Sequence, residues 1–238
     1  MNDTSQRALL DAALDAAAAA PGSLLVFDID DTLLSTGDRH RRILAEYAAR
    51  LQSRAPRAAK LLSAVHARDL RYQIVETARA AGVDDEDILR ELREFWFARF
   101  FRNEYLLEDA PTPGAPEFCA EALRRGATIV YATGRDERMR AGTERSLALR
   151  GFPAPDGRSV RLKLKPRFDT PDAEFKAAVT EELAAWGEVA ATFENEPLHA
   201  NLFREAFPRA RHFLLETRHS GRPATLHAEV LRVADFRR

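Results

Sequence analysis

The chain is short of cysteine, of net charge and of long apolar runs, and each shortage excludes something. Cys119 is the single cysteine among 238 residues, so no internal disulfide can form, and a reducing cytoplasm is the expected setting. It falls in a helix-like stretch and reads as a small core residue. Acidic and basic side chains nearly cancel, 37 against 36, for a formal net charge of -1, which leaves no electrostatic case for nucleic acid or acidic lipid as the main partner. No stretch reaches the roughly 18 uninterrupted apolar residues that a membrane span needs. The alanine-rich beginning is interrupted by Asp3, Asp11 and Asp15 and has no basic cluster before it, so it reads as a leading amphipathic helix rather than an export signal.

What is present is an ordinary globular composition, 45% apolar, in a chain long enough for one sizeable core plus an insertion. After Pro21-Gly22, the run Leu24-Leu25-Val26-Phe27 is continuously apolar, as expected of a strand buried on both faces. Residues 38–109 show no strand pattern but helical ones, over 43–51, 58–81 and 85–101, and form a helical insertion. The segment Pro111-Thr112-Pro113-Gly114 ends it, and a helix over 116–125 closes at Gly126. From there strands expected over 128–132, 160–164, 189–193 and 212–215 alternate with helices over 137–150, 171–186 and 198–207. This alternation predicts an α/β protein, a parallel sheet with helices on both faces and its ligand site at the carboxyl ends of the strands.

Three groups of residues fall at such ends. Asp28-Ile29-Asp30-Asp31-Thr32-Leu33 follows the first strand, and three carboxylates so close to a buried strand repel one another unless a cation relieves them. Hard oxygen ligands of this kind suit magnesium, which also bridges to substrate phosphate. Thr133-Gly134-Arg135 follows the second sheet strand, where a hydroxyl, a bare backbone and a guanidinium can approach a phosphate. Glu194-Asn195-Glu196 follows the fourth and adds oxygen ligands at the same edge, and Lys176, in the helix before that strand, can offset phosphate charge.

Asp28-x-Asp30-x-Thr32 after an apolar strand, Thr133 after another, a lysine, and an acidic turn after a later strand together resemble the haloacid dehalogenase superfamily of hydrolases. The resemblance implies a Rossmann-like core over 1–36 and 110–238 and an all-helical cap over 37–109. It implies a magnesium-dependent phosphatase acting on a small phosphorylated metabolite, in which Asp28 attacks phosphorus to form an aspartyl-phosphate and Asp30 is general acid and base. Thr133 and Gly134 would bind the phosphoryl group and Lys176 would hold nucleophile and phosphate, with Lys165 as its rival. The metal would sit among Asp28, the Asp30 backbone carbonyl, Glu194 and Asn195.

The chain departs from the family pattern in this last motif, where two aspartates or glycine-aspartate are usual. Glu194-Asn195 keeps oxygen ligands with one charge fewer, and Glu196 is a possible substitute. A phosphomutase uses the same nucleophile, and a catalytically weakened binding or regulatory member is the reading that Asn195 motivates. Carbon-halogen cleavage is disfavoured, because it needs neither Asp30 nor the metal cluster. In the insertion, some of the basic residues Arg39, His40, Arg41, Arg42, His66, Arg68 and Arg71 could grip an anionic substrate, but each taken singly reads as a solvated face. Phe95, Trp96, Phe97, Phe100 and Phe101, at helical spacing, read as core of the insertion.

Overall fold

The computed structural model describes residues 3–238. The leading helix α1 (Asp3–Ala19) precedes strand β1 (Leu24–Phe27), a short strand β2 (Leu34–Ser35) and four helices: α2 (Gly37–Leu51), α3 (Pro56–Ser63), α4 (Ile74–Ala80) and α5 (Glu86–Phe100). The chain returns through β3 (Ala110–Pro111), α6 (Ala115–Arg124), β4 (Thr128–Asp136), α7 (Arg140–Leu149) and β5 (Val160–Lys165). It ends with α8 (Asp172–Trp186), β6 (Val189–Glu194), α9 (Pro197–Ala206), β7 (Arg211–Leu215) and β8 (Val230–Val233).

Six strands form one parallel sheet in the order β5-β4-β1-β6-β7-β8. The chain winds outward from β1 through β4 to β5, then crosses back to β6 on the other side. β1 is therefore at the point where the winding reverses, and a crevice opens there at the carboxyl ends. All four β1 side chains are buried, and they alternate between layers. Leu25 and Phe27 join the apolar cluster containing Leu14 of α1 and Phe118 of α6, whereas Leu24 and Val26 join the one containing Val179 of α8 and Phe203 of α9. Phe27, Phe193 and Phe213, on three adjacent strands, stack with centroids 4.7 Å apart at each step. This ladder fixes the floor beneath Asp28, and truncating Phe27 would cost about 3–5 kcal/mol.

The helices α2 to α5 carry their own apolar cluster, including Ile43, Leu62, Ala78 and Leu92. The chain leaves for this layer and returns from it side by side, since Ser35 pairs with Ala110 and Leu34 with Pro111 in an antiparallel ladder. Gly114 follows at φ +79°, and a Cβ there would lie 2.7 Å from the Phe236 backbone, so both conformation and space require glycine.

Three expectations need correcting. The single helical pattern over 58–81 is in fact α3, a 3-10 turn at Ala67–Asp69 and α4. The expected strand over 128–132 continues to Asp136, because β4 pairs with β5 across an irregularity between Thr133 and Asp136. Thr133-Gly134-Arg135 is thus part of a distorted strand rather than a turn after one. Finally, the β2–β3 ladder and β8 were not foreseen.

Candidate active site

The loop after β1 is tightly wound. The backbone N–H groups of Thr32, Leu33 and Leu34 all donate to the Ile29 carbonyl. Asp31 sits at φ +56°, a left-handed conformation that aspartate tolerates because its short side chain bonds locally. Here its carboxylate accepts from the Thr36 backbone N–H at 2.9 Å. This winding sends the three carboxylates in different directions, and each meets its own cations.

Asp28 faces Lys176, whose Nζ donates to Asp28 Oδ1 at 2.9 Å, to Glu194 Oε1 at 2.6 Å and to the Ala132 carbonyl at 2.7 Å. One buried ammonium therefore joins α8 to the ends of β1 and β6 and to the middle of β4. Burial is the largest influence on Asp28 and outweighs Lys176, so its carboxyl is pushed up to about 7. Burial raises Glu194 as well, against the same lysine. Lys176 would lose its proton more easily if burial alone acted, but the two carboxylates hold it well above the ordinary range. Lys165 is bound elsewhere, to Asp172 at 2.8 Å and to the Phe168 and Thr170 carbonyls.

Asp30 is held quite differently. Its Oδ1 accepts from Arg39 Nη2 at 2.9 Å and from Arg135 Nη2 at 2.5 Å. Both guanidiniums also bond Asp109, which is fully buried. Burial by itself would raise the Asp30 carboxyl, but Arg135 and Arg39 together outweigh it and hold it far below the usual carboxylate range. In this arrangement Asp30 accepts hydrogen bonds and has no proton to give. The general-acid role expected of it requires one of the arginines to withdraw.

Asp31 pairs with Arg218, 2.9 Å away in the loop after β7. The mutual repulsion that pointed to a metal is thus met in large part by Lys176, Arg39, Arg135 and Arg218. What the protein leaves unmet is specific: Glu194 Oε2 is buried with no hydrogen-bond partner, and the adjoining Asp28 and Glu194 share one ammonium. An oxygen-rich pair with an excess of negative charge and an orphaned oxygen fits a hard divalent cation. Asn195 lies alongside, its Nδ2 donating to the Arg218 carbonyl at 2.7 Å while its Oδ1 faces the Thr32 hydroxyl. Glu196 is less available as a substitute ligand, since its carboxylate accepts from the Ser220 backbone N–H and hydroxyl.

One cavity of about 580 Å³ at this edge is lined by every site residue singled out from sequence: Asp28, Asp30, Thr133, Gly134, Lys176, Glu194 and Asn195, with Lys165 as well. Thr133 is almost fully buried, its Oγ1 accepting from the Arg135 backbone N–H at 3.3 Å. The basic residues of the helical insertion divide. Arg39 reaches Asp30, His40 is buried with its Nδ1 accepting from Trp96 Nε1 at 3.1 Å, and His66, Arg68 and Arg71 are exposed. Burial first, then Arg218 and Arg39, depress His40 well below the ordinary imidazole range, so it is neutral.

Asp109, Arg218, Tyr72 and Phe168 were missed from sequence. Arg218 and Phe168 had a usable signal, their place just beyond the carboxyl ends of parallel strands. The aromatic group divides: Phe95 is buried in the insertion's cluster and Trp96 and Phe100 pack against it, as expected, while Trp96, Phe97, Phe100 and Phe101 also line the cavity.

A family model for hydrolases of the haloacid dehalogenase-like type matches residues 23–194, from the start of β1 to the end of β6. Among solved structures, a subfamily IA, variant 1 hydrolase of that superfamily from Geobacter sulfurreducens matches with TM-score 0.52 and 14% identity, covering 90% of this chain and 93% of that one. CbbY from Rhodobacter sphaeroides, in complex with phosphate, matches with TM-score 0.51 and 20% identity, covering 90% and 94%. No curated protein matches by sequence. With the family's matched region spanning the sheet from β1 to β6 and containing Asp28, Thr133, Lys176 and Glu194, the chain belongs to the haloacid dehalogenase-like hydrolases.

Proposed function

We propose that the protein is a magnesium-dependent phosphatase that hydrolyses a small phosphomonoester through an aspartyl-phosphate on Asp28. The observation that carries this is the buried bridge of Lys176 between Asp28 and Glu194, next to an unpartnered Glu194 oxygen and open to the cavity. Asp28, Glu194, Asn195 and the Asp30 backbone carbonyl would hold the ion. Bound magnesium would neutralise charge on the phosphoryl oxygens and keep the Asp28 carboxylate ionised at neutral pH.

The remaining steps belong to the side chains. Lys176 orients Asp28 for attack on phosphorus and offsets the charge of the transferring group, while Thr133 and the bare backbone of Gly134 receive its oxygens. Attack breaks the bond from phosphorus to the ester oxygen and leaves an acyl phosphate, the departing oxygen taking the proton that Asp30 holds when Arg39 or Arg135 withdraws. Asp30, kept ionised by Arg39 and Arg135, is in the state that accepts a proton from the water that then cleaves it. The helical insertion, which reaches Asp30 through Arg39, acts as the cap that excludes bulk water. CbbY crystallised with phosphate and with xylulose-(1,5)bisphosphate, and this lends support to a phosphoester substrate.

The test is release of inorganic phosphate from 4-nitrophenyl phosphate with and without magnesium, in the wild type and in Asp28→Asn. Magnesium-dependent turnover that is lost in the variant, together with a hydroxylamine-sensitive phosphoryl group located on Asp28 by mass spectrometry, is the expected result. No turnover on any phosphomonoester of a broad panel, or turnover that survives Asp28→Asn, overturns the reading.

A further inference from the structure

The described residues include five exposed large hydrophobic side chains, and three of them, Tyr72, Phe97 and Phe168, line the catalytic cavity. Single exposed apolar residues need no explanation, but aromatic ones gathered in one cavity beside a reactive group do. Phe97 is 53% exposed, Tyr72 49% and Phe168 36%. They come from separate parts of the chain, at α5, before α4 and in the loop after β5, so no single helix periodicity put them together.

Their geometry is also specific. Phe97, Phe101 and Phe168 meet edge to face, with centroids 5.5 Å apart for Phe97–Phe168, 4.9 Å for Phe101–Phe168 and 5.5 Å for Phe97–Phe101. Trp96 extends the set, edge to face with Phe101 at 5.7 Å. Edge-to-face arrays leave ring faces and edges with opposite partial charge at their margins, and another aromatic ring fits there better than an aliphatic group of equal size. A cavity with carboxylates and lysines at one end and such a wall along its side takes a substrate that is anionic at one end and flat and apolar at the other.

We propose that the substrate is a phosphomonoester whose leaving alcohol carries a planar aromatic ring, received by Phe97, Phe168 and Tyr72. This rests on the phosphatase reading for the fate of the phosphoryl group, but not for the binding of the ring. In the reaction the ester oxygen leaves phosphorus with its electron pair and takes up a proton, releasing an aromatic alcohol, and water supplies the oxygen that completes inorganic phosphate.

The test compares benzyl phosphate with cyclohexylmethyl phosphate, which match in size and differ little in leaving-group basicity. Benzyl phosphate should show a kcat/KM about tenfold higher, and Phe97→Leu or Tyr72→Leu should shrink that ratio at least about threefold. Leu149→Ala, exposed but away from the cavity, should leave the ratio as it is. Binding is read separately, by Trp fluorescence titration of the wild type with magnesium and either benzylphosphonate or cyclohexylmethylphosphonate. Equal kcat/KM for two esters that are both hydrolysed overturns the aromatic assignment and leaves the phosphatase intact. Tighter binding of benzylphosphonate, with no hydrolysis of either ester or of the broad phosphomonoester panel, sustains the assignment of the ring and overturns the phosphatase. Equal phosphonate affinities overturn the assignment whatever the turnover.

Discussion

Asp28 and Asp30 are two residues apart, follow the same strand and line the same cavity, yet they are in opposite electrostatic conditions. Asp28 shares one ammonium with Glu194, carries surplus negative charge and is pushed up to about 7. Asp30 faces two guanidiniums, with Asp109 as the second anion, in a cluster where cations and anions balance. The first site is incomplete in a way that calls for a ligand. The second is complete and serves to fix a side chain and to tie the helical insertion to the sheet. Counting carboxylates in sequence cannot distinguish the two conditions, because the difference lies in cations that are distant along the chain.

The contrast can be broken by substitution. The largest effect is expected at the incomplete site, where, on the proposed reading of Asp28 as nucleophile, Asp28→Asn should lower phosphate release at least about a thousandfold in a steady-state assay. At the complete site the damage should be to stability: Arg39→Met leaves fully buried Asp109 with one cation fewer and should cost about 3–5 kcal/mol in urea unfolding. The double variant Arg39→Met/Asp109→Leu should recover much of that, and no recovery would show that the cluster is not a balanced unit. Magnesium should raise unfolding free energy by about 2.7 kcal/mol at a hundredfold excess over its Kd, followed by thermal denaturation, and Glu194→Gln should remove most of the gain. The smallest change is expected at the third carboxylate. Asp31→Asn keeps a residue suited to φ +56° and loses mainly the ion pair with part-exposed Arg218, for about 1 kcal/mol.

Much of the frame was legible. The apolar run at β1, the alternation after Gly126 and the grouping of Asp28, Thr133 and Glu194 at one sheet edge followed from local pattern and the rules of parallel sheets, whereas the preference for Lys176 over Lys165 comes from the family resemblance. What escaped had no local signal. The break between α3 and α4 lies in a stretch rich in alanine and leucine, where helix-forming composition hides the turn at Ala67–Asp69. Helical spacing gathered Phe95, Trp96, Phe97, Phe100 and Phe101 as core, which holds for Phe95, Trp96 and Phe100, but the spacing does not show that Phe97 and Phe101 face a cavity. Arg39, Asp109 and Arg135 meet only because the sheet and the insertion bring three separate segments together.

The pairing of Ser35 with Ala110 at the root of the insertion makes the helical layer an excursion that begins and ends at one place. The ionic cluster that spans this root divides evenly: the excursion contributes Arg39 and Asp109, the sheet domain Asp30 and Arg135. Each half is neutral by itself. The excursion could be exchanged for another helical module of similar footprint without stranding a net charge against the loop after β1, provided that the new module returns a guanidinium to Asp30 where Arg39 stands.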